Sequence, residues 1–227
     1  MKDIFLVDAD DTILDFHASS ALSLKMAFDE FSVLWQQRFA DVFKIVNDAL
    51  WTKLERRELT RKELIDTRFH IYLAELKMDL DADKFNRAYL QALSTHPIYV
   101  DGAQEFLETL NTLGRVYVVT NGTLRIQKSR FEIAKLNDYA KDVFVSDAIG
   151  YDKPSPKYTE YVLSHIENFE KGRAIWIGDS LNADIKSAND AGIDSVWFNP
   201  SKKPIKGDVK PTYEAQNFAE ILKMIKN

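Results

Sequence analysis

The chain has 227 residues, 45% hydrophobic and 29% charged, which is enough to bury one large core or a core plus a smaller satellite. Thirty Lys and Arg against thirty-five Asp and Glu leave a net charge of −5, so no basic field exists to hold a nucleic-acid polymer. With no cysteine, disulfides, zinc ribbons and thiol nucleophiles are excluded.

The first element in chain order is the apolar run Ile4-Phe5-Leu6-Val7. It is far shorter than the roughly 18 residues of a membrane helix. It meets Asp8 at once, so it does not read as a signal peptide. A soluble, cytoplasmic protein is expected. Residues 15–96 are helical in pattern, with nothing that reads as a strand. Phe39, Phe43, Val46, Leu50 and Leu54 recur at three- and four-residue spacing, as do Leu64, Phe69, Ile71, Tyr72 and Leu76. Thr60 with Glu63 predicts a capping box, and Asp81 to Asp83 a further helix start.

After Pro97 the texture changes. Short β-rich runs at 116–119, 143–145, 174–177 and 195–198 alternate with helical segments at 123–135, 157–166 and 181–191. That alternation predicts an α/β fold, a Rossmann-like doubly wound parallel sheet covered on both faces. The N-terminal run joins the same sheet. Residues 1–14 and 97–227 therefore form the core domain, and 15–96 an inserted helical cap. Residues 200–211, with three prolines and four lysines, predict a surface loop.

Open α/β sheets bind ligands at the carboxyl ends of their strands. The first strand ends in Asp8-Ala9-Asp10-Asp11-Thr12, the second in Thr120-Asn121-Gly122, and a later one in Gly178-Asp179-Ser180, with Asp184 close behind. The loop beyond 143–145 carries Lys153-Pro154. Each piece alone has a plain reading as turn, helix cap or solvated loop. Together, at the ends of predicted parallel strands, they form one constellation. Two unit charges 4 Å apart repel by roughly 4 kcal/mol at an effective dielectric of 20. A cleft holding Asp8, Asp10, Asp179 and Asp184 thus favours a hard divalent cation, and Mg²⁺ suits few fixed oxygen ligands. A cation, a lysine and a threonine hydroxyl suit a phosphoryl group.

In order, these segments resemble the four motifs of the haloacid dehalogenase-like superfamily, and residues 15–96 resemble its helical cap. Phe5-Leu6-Val7-Asp8-Ala9-Asp10-Asp11-Thr12 and Val46-Asn47-Asp48-Ala49-Leu50-Trp51 are similar to bacterial 5′-nucleotidases acting on non-standard pyrimidine nucleotides. One departure is Asp11, where the superfamily usually has Gly; Asp tolerates left-handed backbone better than most residues. The resemblance implies that Asp8 is the nucleophile, forming an aspartyl-phosphate. Asp10 would protonate the leaving oxygen and later take a proton from water. Thr120 and the Asn121 N–H would hold phosphate oxygens, and Lys153 would neutralise charge. Mg²⁺ would sit on Asp8, the Asp10 backbone carbonyl and Asp179, with Asp184 and Ser180 supporting.

Phe43, Asn47 and Trp51 fall at four-residue spacing on one predicted helical face, read either as a core stripe or as a base-binding surface. His17, His70, His96 and His165 lack ligand spacing and are expected at the surface or in packing. Trp176 and Trp197 are expected in the core, and Lys202, Lys203, Lys206 and Lys210 in a solvated loop. The expectation is a Mg²⁺-dependent phosphomonoesterase for small-molecule substrates, pyrimidine nucleoside 5′-monophosphates foremost. The alternatives are a phosphoglycolate or sugar-phosphate phosphatase, a phosphomutase, a haloacid dehalogenase, and a non-catalytic binding module.

Overall fold

The computed structural model describes residues 2–56, 58–205 and 207–226. The chain divides into two compact units, Met1–Asp15 with Ile98–Asn227, and Phe16–Pro97.

The first unit is built on a parallel sheet of β1 (Ile4–Val7), β2 (Arg115–Thr120), β3 (Ala140–Val145), β4 (Ala174–Gly178), β5 (Asp194–Phe198) and β6 (Tyr213–Ala215). Its spatial order is β3-β2-β1-β4-β5-β6, and every neighbouring pair is parallel. The period-2 alternation of strand side chains splits the core into two layers. Phe5, Val7, Val116, Val118, Ile175 and Ile177 face one way with Phe106, Leu110, Phe218 and Ile221. Ile4, Leu6, Tyr117, Val119 and Trp176 face the other with Tyr158, Val162 and Ala188. Burial on both faces explains why β1 reads as an unbroken apolar run. The strand order reverses at β1, so the crevice outside the carboxyl ends of β1 and β4 is the switch point where this architecture binds ligands.

The α-helices of this unit are α5 (Ala103–Leu113), α6 (Leu124–Ile133), α7 (Ser146–Ile149), α8 (Pro156–Ser164), α9 (Lys186–Ala191) and α10 (Phe218–Lys226), of which α5, α7 and α10, like the strand β6, were not predicted. Among the described residues between β5 and β6 there is no helix or strand, and Lys202, Lys203 and Lys210 are exposed there; Lys206 lies outside the described residues. No helix among the described residues is long and apolar enough to cross a membrane.

The second unit contains α1 (Phe16–Glu30), α2 (Gln37–Glu55), α3 (Arg61–Glu75) and α4 (Ala82–Thr95). The Thr60 hydroxyl accepts from the Glu63 N–H while the Glu63 carboxylate accepts from the Thr60 N–H, the predicted capping box. Asp81 caps α4 through the Lys84 N–H. The α2 stripe Phe39, Phe43, Val46, Leu50 and Leu54 is buried throughout. Its rings join Phe28, Phe69, Tyr72, Phe85 and Tyr89 in one aromatic cluster, including Phe43 stacked on Phe69 at 5.6 Å. The Tyr72 hydroxyl, buried among them, donates to the Phe39 carbonyl at 3.0 Å.

Candidate active site

Asp8 follows β1 directly and its N–H donates to the Ile177 carbonyl at 2.9 Å, so the backbone beyond the strand is still pinned to β4. Asp11 then adopts φ +60°, the left-handed turn that the sequence assigned to it, and its N–H donates to the Leu14 carbonyl. This turn sets Asp8 and Asp10 at the mouth of the crevice.

Lys153 lies in the loop between α7 (Ser146–Ile149) and α8 (Pro156–Ser164) and is buried. Its ammonium donates to Asp8 Oδ1 at 2.6 Å, Asp184 Oδ1 at 2.7 Å and the Val119 carbonyl at 2.8 Å. All three donors are used, each toward a different strand end. Burial alone pulls an ammonium pKa down, but Asp184 and Asp8 outweigh it and hold Lys153 above its usual range. Burial pushes the Asp8 carboxyl up to about 8; Lys153 opposes this and the charges of Asp184 and Asp10 reinforce it.

Asp184 is buried and fully engaged. It accepts from Lys153, from the Ser180 N–H at 3.2 Å and from the Trp176 indole at 3.4 Å. Ser180 caps the following turn, its hydroxyl accepting from the Ala183 N–H. The Trp197 indole donates to the Asp179 carbonyl at 2.7 Å. Both tryptophans are buried, as expected for core residues, and each also aims its N–H at the acidic loop.

Carboxylate oxygens of Asp8, Asp179 and Asp184 all lie within 4.8 Å of one another. The Asp179 carboxylate takes no hydrogen bond from the described residues, and its half-buried position, with the charges of Asp11, Asp8 and Asp184, holds its pKa well above the usual carboxylate range. Crowded all-oxygen donors with one carboxylate uncompensated fit a hard divalent cation. Asp184, already satisfied by three donors, is suited to supporting that ion.

Two residues escaped the sequence reading. Gln127 and Arg130 sit three apart on α6 (Leu124–Ile133), both buried. The Gln127 amide donates to Asp10 Oδ2 at 2.8 Å and to the Thr120 hydroxyl at 3.0 Å. Arg130 donates to Asp10 Oδ1 at 2.6 Å and to Gln127 Oε1 at 2.8 Å. Together they fix the Asp10 carboxylate and aim Thr120. Gly122 makes room for this: a Cβ there would lie 2.6 Å from the Gln127 side chain. The Asn121 side chain pairs both ways with the Lys153 backbone, at 2.9 and 2.8 Å, and ties the β2 end to the lysine loop.

In the helical unit, a cavity of about 200 Å³ is lined by residues of α1 and α2, among them Phe43 and Asn47. Trp51, expected beside them, is not part of its lining; it is half-buried and lies under the Arg61 guanidinium at 5.9 Å. The four histidines do not gather. His17 lines the cavity, His70 and His165 bond to carbonyls of their own helices, and His96 accompanies the α4 terminus.

A parallel sheet in this order, with acidic loops after its two central strands and a buried lysine between them, defines a hydrolase architecture. The sequence profile of haloacid dehalogenase-like hydrolases matches residues 2–192, and the chain belongs to that family. It is 36% identical over 216 residues to the HAD-hydrolase YfnB of Bacillus subtilis, covering 95% of this chain and 92% of that one. A crystal structure of YfnB bound to magnesium, described as revealing interdomain movement, superposes with a TM-score of 0.93 at 34% identity, covering 100% and 99% of the two chains. Pyrimidine 5′-nucleotidase PynA of Streptococcus pneumoniae is 32% identical over 218 residues, covering 96% and 92%. Pyrimidine 5′-nucleotidase YjjG of Escherichia coli is 25% identical over 223 residues, covering 98% and 97%.

Proposed function

We propose that the protein is a magnesium-dependent phosphomonoesterase that hydrolyses nucleoside 5′-monophosphates, those of pyrimidines foremost. The observation that carries this reading is the Lys153 grip on Asp8, which holds a buried carboxylate beside the Asp179 cluster with a second carboxylate, Asp10, fixed separately on α6. Two carboxylates in different surroundings suit two roles. Residue-for-residue similarity to proteins named pyrimidine 5′-nucleotidases over nearly the whole chain supports the substrate class.

In this reading an Asp8 oxygen attacks phosphorus in line, an O–P bond forms, and the ester O–P bond breaks. Asp10 gives its proton to the departing 5′-oxygen. Water then attacks the aspartyl-phosphate, Asp10 takes the proton back, and Asp8 and inorganic phosphate are released. Gln127 and Arg130 hold both Asp10 oxygens in place for that exchange. Thr120, aimed by Gln127, and the Asn121 N–H hold phosphoryl oxygens, and Lys153 offsets their charge. Asp8, Asp179 and the Asp10 backbone carbonyl would hold Mg²⁺, which supplies charge neutralisation at the phosphoryl group.

A panel of phosphomonoesters with Mg²⁺ tests the proposal. Phosphate release from uridine 5′-monophosphate should exceed that from phosphoglycolate and hexose phosphates in kcat/KM. A clear preference for either of the latter makes this a sugar-phosphate or phosphoglycolate phosphatase instead.

A further inference from the structure

Asn47 on α2 is 4% exposed, yet it lines the cavity of the helical unit alongside Phe16, His17, Ser20 and Phe43. Its Oδ1 accepts from an Arg68 Nη1 at 3.1 Å. Arg68, on α3, is itself buried. Among the described residues its Nε and second Nη have no hydrogen-bond partner and no carboxylate pairs with it. Three rings surround it, with the guanidinium carbon 5.5 Å from the Phe43 centroid, 5.1 Å from Phe69 and 5.2 Å from Tyr89. Cation–π attraction holds the charge, and Asn47 supplies its one hydrogen-bond acceptor among the described residues.

A guanidinium carries donors only, so the side of Asn47 facing Arg68 must be its oxygen. Turning the amide over would set N–H against N–H and leave a buried cation without any acceptor. The orientation is therefore locked. The NH₂ end points away from Arg68, and no acceptor among the described residues takes it. It is left for whatever occupies the cavity. At about 200 Å³ the space is below the usual range for drug-sized ligands, room for one ring and little more.

We propose that Asn47 reads the cavity's ligand by donating from its NH₂ to a ring carbonyl oxygen, and that Arg68 is the positioning residue that fixes the amide for that purpose. The inference rests on the nucleotidase reading and deepens it: the preferred ligand is a flat ring bearing an exocyclic oxygen acceptor, as in uracil and thymine. Phe43 contributes both a wall of the cavity and part of the cage around Arg68, so the two functions are joined through one ring.

The test is the ratio of kcat/KM for uridine 5′-monophosphate to that for phenyl phosphate, whose ring has no carbonyl, measured with Mg²⁺. Asn47→Asp keeps the shape and still gives Arg68 an oxygen, but it replaces the donor with an acceptor. The ratio should fall by about 10-fold or more, in KM. Arg68→Met, which frees the amide to turn, should lower the ratio in KM; Arg68→Lys, which still offers only donors to Asn47, should keep it. A purely packing role for Arg68 predicts the reverse order, because Met fits an aromatic cage better than Lys, and that result overturns the positioning assignment. A wild type that prefers uridine 5′-monophosphate and an Asn47→Asp protein with the same ratio overturn the inference while leaving the nucleotidase reading standing. A wild type without that preference overturns the inference, and the panel with phosphoglycolate and hexose phosphates then decides the nucleotidase reading separately. Should Asn47→Asp unfold at assay temperature, the Arg68 pair decides alone.

Discussion

Gly178, the last residue of β4, lies so close to Asp184 that a Cβ built on it would sit 2.2 Å from the carboxyl carbon. The absent side chain is what lets Asp184 reach both Lys153 and the Ser180 N–H. Gly178→Ala must displace that carboxylate. We expect a loss of stability at or above the top of the roughly 1–3 kcal/mol range for overpacking, read as a lowered urea midpoint, with activity lost in parallel. A variant as stable and active as the wild type would show that the close approach is not required.

Asp8→Asn keeps a carbonyl oxygen for Lys153 but removes the proposed nucleophile and a charge from the acidic cluster. Turnover should vanish while the fold persists, checked by phosphate release and circular dichroism on the same sample. Asp10→Asn should reduce kcat by roughly 10²–10⁴-fold, the usual worth of positioned proton transfer. Wild-type turnover by a folded Asp8→Asn protein would reject the mechanism.

Metal removal separates the acidic cluster from a merely structural one. Excess chelator should abolish phosphate release and Mg²⁺ should restore it, with Ca²⁺ a poor substitute because its looser shell misplaces the reacting atoms. Asp179→Ala should raise the Mg²⁺ concentration needed for half-maximal rate. Undiminished activity in chelator would remove the ion from the proposal.

Gln127→Ala withdraws three bonds at once, those to the Asp10 carboxylate and the Thr120 hydroxyl and the one it accepts from Arg130. Hydrogen bonds to charged groups are worth about 1.5–3 kcal/mol. If the network acts on the reacting groups, kcat should fall by at least about 10-fold, with a smaller change in KM. An unaltered kcat would make Gln127 a packing residue only.

The motif residues were legible because they follow apolar strands without a gap: Val7 leads straight into Asp8, Val119 into Thr120, and Gly178 into Asp179. Gln127 and Arg130 were not, because polar residues within a helix read as a solvated face. Their three-residue spacing, on the helix entered from Thr120-Asn121-Gly122, was the available sign that they point back at the strand end. The Phe218, Ile221 and Ile225 spacing of α10 was equally readable but passed over, whereas β6 has only three residues and too little pattern to find. Trp51 shows the limit of a helical face. Eight residues beyond Phe43, it stands about 12 Å farther along the axis and is rotated by about 80°, which carries it past a cavity that Phe43 and Asn47 still reach. Trp176 and Trp197 were legible as buried residues, but the direction of an indole N–H depends on tertiary neighbours that no periodicity encodes.

The way Lys153 is held bears on how an inert form of the protein is best made. Its ammonium joins the ends of β1 and β2 and the turn after β4, and it is 98% out of solvent. Taking it away strands two buried carboxylates, and breaking such a buried pair typically costs about 3–5 kcal/mol. Loss of activity at Lys153 therefore reports architecture and chemistry together. Asp10 is different: its side chain is 27% exposed and held by Gln127 and Arg130 of α6. For slowing turnover on a bound substrate in an intact protein, Asp10 is therefore a better position to change than Lys153. Lys153 is instead the place to ask how far this catalytic machinery is itself a clamp on the sheet.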